Sequence, residues 1–262
     1  MKLKIYQIDA FTDQVFSGNP AAVCILEEWL EDSLMQNIAA ENNLAETVFL
    51  VKKDHIYDIR WFTPAVEVDL CGHATLAAAY VLFEMINVVG DKIYFYSHRS
   101  GDLMVERSDN DLLLMDFPAD TLKEISPVEI LTKAFGKVSL KTFMGKTDYM
   151  LVFANQQEIE QMKPNMGQVA MAGERGVIIT APGDTVDFVS RFFAPQSGID
   201  EDPVTGSAHT TLTPYWSEVL NKKKLTAKQL SKRGGNLLCE FLGERVTIAG
   251  KAVPYMVGEI DV

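Results

Sequence analysis

Along the chain, short runs in which apolar and polar positions alternate, or in which β-branched residues crowd together, recur between turn residues. In the first half they fall at 4–10, 22–26, 47–52, 57–62, 92–96, 102–107 and 112–117, broken by turns such as Ser17-Gly18-Asn19-Pro20 and Ser100-Gly101. In the second half they fall at 138–143, 149–153, 177–180, 186–193, 237–242 and 245–248. Each half is therefore expected to be mostly β. The helix expected after Gly72 differs from the rest, because from Leu76 to Phe83 its only polar group is the Tyr80 hydroxyl. A helix apolar all round is enclosed by protein, and Ala77-Ala78-Ala79 keep it thin enough for strands to approach. That describes a helix lying inside a curled sheet. A second helix over 209–220 is more polar and interrupted by Pro214, so its burial is expected to be less complete. Further helices are expected over 32–43, amphipathic with Leu34, Ile38 and Ala39, and over 126–135, with Ser126 as cap, Pro127 in first position and an acidic first turn.

The two halves share a plan. Arg60-Trp61-Phe62-Thr63-Pro64 is matched 131 positions later by Arg191-Phe192-Phe193-Ala194-Pro195. Asp69 and Asp200 follow at equal distance, then Cys71 and Asp202. After a three-residue insertion, Pro203-Val204-Thr205, the triplet Gly72-His73-Ala74 falls against Gly206-Ser207-Ala208. Upstream, Thr47-Val48-Phe49-Leu50 matches Val177-Ile178-Ile179-Thr180. A colinear set at one offset indicates an internal duplication, with halves at 1–120 and 121–262 and the last strand free to pair back with the first half.

Composition narrows the function classes. The chain carries 24 Lys+Arg against 36 Asp+Glu, a net charge of −12, which excludes a nucleic-acid scaffold driven by phosphate contacts. The longest apolar run, 76–83, falls well short of the ~20 residues of a membrane helix, so no membrane association is expected. The N-terminus alternates and reaches Asp9 before an apolar leader could form. Three cysteines, Cys24, Cys71 and Cys239, without a Cys-x-x-Cys pair argue against a disulfide framework or structural zinc and for reduced thiols in a cytoplasmic protein.

Candidate chemistry sits at the matching turns. A Gly-opened helix leaves backbone N–H groups unpaired at its positive end, so Gly72 and Gly206, one per half, could hold an anionic small molecule in an interdomain cleft; equally, each could merely serve a tight turn. Glu46 opens a β-branched run just after a helix ends, and its counterpart, with one residue of slippage, is Gly176. One half alone thus carries this carboxylate, which suits a group that takes and gives a proton, although a solvated Glu at a strand mouth is the commoner case. His73 could bridge a ligand and a carboxylate or simply cap the helix. Asp202 and Ser207 add an acid and a hydroxyl in Glu201-Asp202-Pro203-Val204-Thr205-Gly206-Ser207, where a turn and a helix cap are the plainer roles. Cys71 is either a thiol acid/base or an inert buried thiol. His55 and His98 read as surface residues, and His209, one turn into the second helix, is undecided.

The stretches from Phe11 through Asn19-Pro20-Ala21-Ala22-Val23, Asn43-Leu44-Ala45-Glu46-Thr47, Arg60 to Pro64, Cys71-Gly72-His73-Ala74-Thr75 and Glu201 to Ala208 closely resemble the phenazine-biosynthesis isomerase-like family. The resemblance spans nearly the whole chain. It implies the diaminopimelate-epimerase fold, an α+β architecture of two pseudo-symmetric halves, each a curled, mostly antiparallel sheet around a central helix, with the active site between them. It further implies Glu46 as the acid/base, with His73, Asp202 and Ser207 lining the site. Substrate binding falls to Asn19, Cys71 and the amides of Gly72 and Gly206. The related amino-acid epimerases use two symmetric cysteines, whereas the second position here is Asp202, so a two-thiol racemase is not expected. The resulting expectation is a cofactor-independent, metal-free isomerase, a homodimer, acting on a small anionic metabolite. The alternatives are a hydrolase or acyl transferase using Ser207 or Cys71, and a small-molecule-binding relative without turnover.

Overall fold

Strands form where the sequence alternates, and they recur in the same order twice. The computed structural model describes residues 1–262, the side chain of Asp109 excepted. In chain order the elements are β1 (Lys2–Ala10), β2 (Asn19–Leu26), α1 (Asp32–Asn42), β3 (Glu46–Lys53), β4 (Ile56–Phe62), β5 (Glu67–Val68), α2 (Gly72–Tyr80), β6 (Lys92–Ser97), β7 (Gly101–Ser108), β8 (Leu112–Pro118) and β9 (Lys123–Ile125). They continue as α3 (Glu129–Phe135), β10 (Lys141–Met144), β11 (Asp148–Val152), α4 (Gln156–Gln161), α5 (Met166–Ala170), β12 (Gly176–Pro182), β13 (Phe188–Ala194), β14 (Ile199–Asp202), α6 (Gly206–Leu220), β15 (Lys224–Gln229), β16 (Gly235–Phe241), β17 (Arg245–Gly250) and β18 (Ala252–Asp261). Two compact units result, Met1–Asp116 with Ala249–Val262, and Phe117–Ile248.

In the first unit β1 pairs antiparallel with β2, β2 parallel with β3, β3 antiparallel with β4, β4 parallel with β6 and β6 antiparallel with β7. In the second unit β10, β11, β12, β13, β15 and β16 repeat that series pair for pair: antiparallel, parallel, antiparallel, parallel, antiparallel. Each parallel step needs a helical crossover. These are α1 and α2 in the first unit, and α4 with α5, then α6, in the second. β18 pairs antiparallel with β1, and β9 takes the corresponding place beside β10.

The central helix of the first unit is buried on every side. Leu76, Ala77, Ala78 and Ala79 are each 0% exposed, and α2 contacts β1, β2, β3, β7 and β18. In the second unit, α6 turns Leu212 and Trp216 inward while Val219 and Leu220 remain exposed. The duplicated arginines serve matching ion pairs: Arg60 Nε donates to Glu67 Oε1 at 2.8 Å, and Arg191 Nε donates to Glu201 Oε1 at 2.7 Å.

Three expectations are corrected. α3 begins at Glu129, with Val128 at its N-cap and no side-chain cap; Ser126 and Pro127 instead follow directly on β9, whose pairing with β10 holds the preceding backbone extended. β10 begins at Lys141 rather than 138, where Val138 and Leu140 are exposed. In α1 the inward residues are Met35, Ile38 and Ala39, with Leu34 only half-buried.

Candidate functional site

Glu46 is placed by the end of α1. Asn43 closes that helix in the left-handed region at φ 48°, the Asn42 amide donates to Thr47 Oγ1 at 3.0 Å, and β3 runs parallel to β2 with Glu46 opposite Ala21. Asn19 opens β2 behind Gly18, which has φ +67°; a Cβ there would lie 2.2 Å from the Ala10 carbonyl oxygen, so only glycine fits. Cys71 is the extended N-cap of α2, and His73 lies in the first turn.

These four residues meet. His73 Nε2 lies 3.1 Å from Glu46 Oε2, and on the other side of the ring His73 Nδ1 is 3.1 Å from Asn19 Nδ2 and 3.4 Å from Cys71 Sγ. Asn19, Glu46, Cys71 and His73 are all buried. The facing Glu46 and His73 atoms are close but not aligned as a hydrogen bond, which leaves both able to engage a third group. Burial opposes charge on His73, but its contacts with Cys71 Sγ and the Glu46 carboxylate outweigh it and hold the imidazole well above its ordinary range. Burial, reinforced by the Glu46 charge, pushes the Cys71 thiol up to about 11. Glu46, Cys71 and His73 each offer a ligand atom within 4.8 Å of the others, and all three are buried.

In the second unit, Asp202 and Thr205 are arranged by a residue the sequence reading missed. Gln229 is fully buried and clamps the turn: its Oε1 accepts from the Thr205 N–H at 2.9 Å, and its Nε2 donates to the Asp202 carbonyl at 2.7 Å and to Thr205 Oγ1 at 3.1 Å. Thr205 Oγ1 in turn donates to Asp202 Oδ2 at 2.5 Å. The available signal was the alternation of Lys224 to Gln229, in which Leu225, Ala227 and Gln229 face inward. Thr205 is the N-cap of α6 and makes no side-chain cap. Ser207 is exposed, and its Oγ accepts from Arg175 at 3.1 Å.

His209 lies wholly inside this unit. Its Nδ1 is 2.8 Å from the Thr205 carbonyl, Nε2 has no hydrogen-bond partner among the described residues, and the ring packs against Phe188. Burial lowers its pKa from 6.5 to about 4. The folded protein therefore binds this proton less readily than the unfolded chain. The stability so protected is fully present above the unfolded value near 6.5 and is lost as the pH falls toward about 4, a loss of roughly 3 kcal/mol. Urea-unfolding midpoints across that range should fall steeply for the wild-type chain and less for His209→Gln.

A cavity of about 320 Å³ in the first unit is lined by Trp29, Asp32, Asp58, Ile59, Arg60, Tyr96 and His98. It contains none of the candidate residues, and the Arg60 guanidinium within it is already paired with Asp32 and Glu67.

A family model described as "phenazine biosynthesis-like protein" matches residues 8–258. The chain is 52% identical to an uncharacterized isomerase of Pseudomonas aeruginosa, over 99% of each chain. The crystal structure of a phenazine biosynthesis protein of the PhzF family from Enterococcus faecalis superposes with a TM-score of 0.97 at 44% identity, covering 100% of both chains. A hydroxyproline epimerase from Agrobacterium vitis shares only 7% identity but gives a TM-score of 0.63 over 99% of this chain and 92% of that one, a likeness of fold.

Proposed function

Because the chain belongs to the phenazine biosynthesis-like family, we propose that it is an isomerase that moves a proton along a small carboxylate-bearing substrate, with Glu46 as the single acid/base. The observation that carries this reading is the buried Glu46 carboxylate 3.1 Å from a His73 imidazole, itself held by Asn19 at the mouth of an apolar helix. The counterpart of Glu46 in the second unit is Gly176, which has no side chain to act as a second base. His73, raised toward its charged form 3.1 Å from the Glu46 oxygen, stabilises negative charge that develops beside it. Asp202 and Ser207, with the amides of Gly72 and Gly206, bind and orient substrate in this reading.

A nucleophilic mechanism has less support. Ser207 Oγ is held by a guanidinium rather than by a base that would take its proton, and the Cys71 thiol, at about 11, is protonated at neutral pH. Incubation of the chain with a library of small carboxylic acids in deuterium oxide tests the proposal. One acid should gain a deuterium by mass spectrometry together with a change in chromatographic position. Release of an alcohol or amine in place of solvent label would instead indicate hydrolysis. Replacing Cys71 with Ser should leave the labelling rate within about threefold, because a hydroxyl can take the place of the thiol beside His73 Nδ1.

A further inference from the structure

The duplication exposes an asymmetry at the two helix mouths. Glu46 opens β3 and Gly176 opens the equivalent β12. A Cβ on Gly176 would fall 2.4 Å from Cζ of Phe192, so the Phe192 ring occupies the place of a side chain there. The preceding residue, Arg175, reaches across instead. Its Nη2 donates to Ser207 Oγ at 3.1 Å, and Ser207 is the counterpart of His73. Where the first unit sets a carboxylate 3.1 Å from an imidazole, the second sets a guanidinium against a hydroxyl.

The guanidinium is fixed before any ligand arrives. Arg175 Nε donates to Asp148 Oδ1 at 2.9 Å and Nη2 donates to Asp148 Oδ2. Asp148 is 2% exposed and does not move freely. The cation also lies over the Phe192 ring, 5.2 Å from its centroid. Asp148 and Ser207 use Nε and Nη2, so the Nη1 group makes no hydrogen bond among the described residues, and the side chain as a whole is 39% exposed. Because Ser207 Oγ accepts from Arg175, its own hydrogen is directed elsewhere as a donor. A permanently charged fork with one donor edge open, beside a hydroxyl committed to donating, is a receptor for oxygen atoms carrying negative charge.

We propose that Arg175, locked by Asp148, is the anion-selecting residue of the second unit, its Nη1 edge and the Ser207 hydroxyl together taking an oxyanion, whether carboxylate or phosphate. The site lies within one unit and stands whether or not Glu46 moves a proton. Isothermal titration of the full chain with malonate, inorganic phosphate and neutral malonamide tests it. Wild type should bind at least one of the two anions saturably and malonamide not at all; which anion binds identifies the oxyanion. Arg175→Lys keeps a charge but loses the fork and should weaken binding several-fold. The double variant Asp148→Asn/Arg175→Gln, which leaves no buried charge unpaired, should weaken it about tenfold or more, the scale of a lost charge-assisted pair. The titration reads binding and not turnover, so failure of the proton-transfer reading and failure of this one are read separately. The proposal is overturned if the double variant, with a wild-type circular dichroism spectrum and cooperative unfolding, binds as wild type does. It is equally overturned if malonamide binds as well as malonate, or if wild type binds neither anion.

Discussion

Replacing Glu46 with Gln is expected to lower turnover by a factor on the order of 10²–10⁴, the usual cost of losing a general acid/base, with little change in substrate affinity. Gln preserves the shape and the polar contact with His73 but cannot carry the proton. The side chain is 11% exposed and its Oε2 lies 3.1 Å from His73 Nε2, so little water is at hand to stand in for it. His73→Asn and Asp202→Asn should cost less, since their role in this account is to orient and to stabilise charge. Cys71→Ser should cost least. The comparison is made on variants of equal unfolding midpoint, because a polar substitute buried at these turns can also weaken the fold. If Glu46→Gln keeps full solvent-deuterium exchange while Cys71→Ser abolishes it, the thiol is the base.

A large loss of stability is expected on replacing Arg191. Its Nε and Nη2 hold Glu201 at 2.7 and 3.0 Å, and its Nη1 donates to the carbonyls of Ile159 and Met162 at 3.0 and 2.7 Å. The guanidinium lies 4.9 Å from the Phe193 ring centroid, and its side chain is 12% exposed. Arg191→Met retains most of the volume and strands a carboxylate and two carbonyls, at a cost of about 3 kcal/mol. Arg191→Lys should recover little, because one ammonium cannot serve both the carboxylate and the two carbonyls. Adding Glu201→Gln to Arg191→Met should restore part of the loss, since the stranded charge is then removed. Urea-unfolding midpoints of the single and double variants measure both effects, and additive losses would show that the pair does not couple.

The α+β architecture and its doubled plan were legible because burial leaves a period in the sequence. The all-apolar run from Leu76 to Phe83 marked the enclosed helix, and the Arg60 and Arg191 segments marked equivalent strands whose arginines make matching ion pairs. β18 left a weaker trace: Pro254 falls where the register with β1 shifts, between Gln7 and Ile8, and Tyr255, Met256 and Val257 are exposed, so the alternation is broken. β15 does alternate, but only Leu225 and Ala227 of its inward residues are apolar, and Gln229 breaks the apolar signal. Of the residues placed in the site, Asn19, Glu46, Cys71 and His73 converge in the first unit, while the supports of the second were silent. Gln229 and Asp148 act through a turn and an ion pair closed by distant residues, at 24 and 27 positions' separation. No local spacing announces such contacts. Arg175 is equally silent in the sequence, because its setting depends on the Phe192 ring filling the space that a side chain at Gly176 would take.

The central claim is that one carboxyl group takes the proton and returns it. Substrate labelled with deuterium at the donor carbon and turned over in ordinary water tests this by the isotopic content of the first product formed. Transfer by Glu46 alone predicts that a measurable fraction of that product carries deuterium at the acceptor carbon, added on the same face, because a nearly buried carboxyl group exchanges slowly with solvent. Product free of deuterium from the first turnover onward would contradict it.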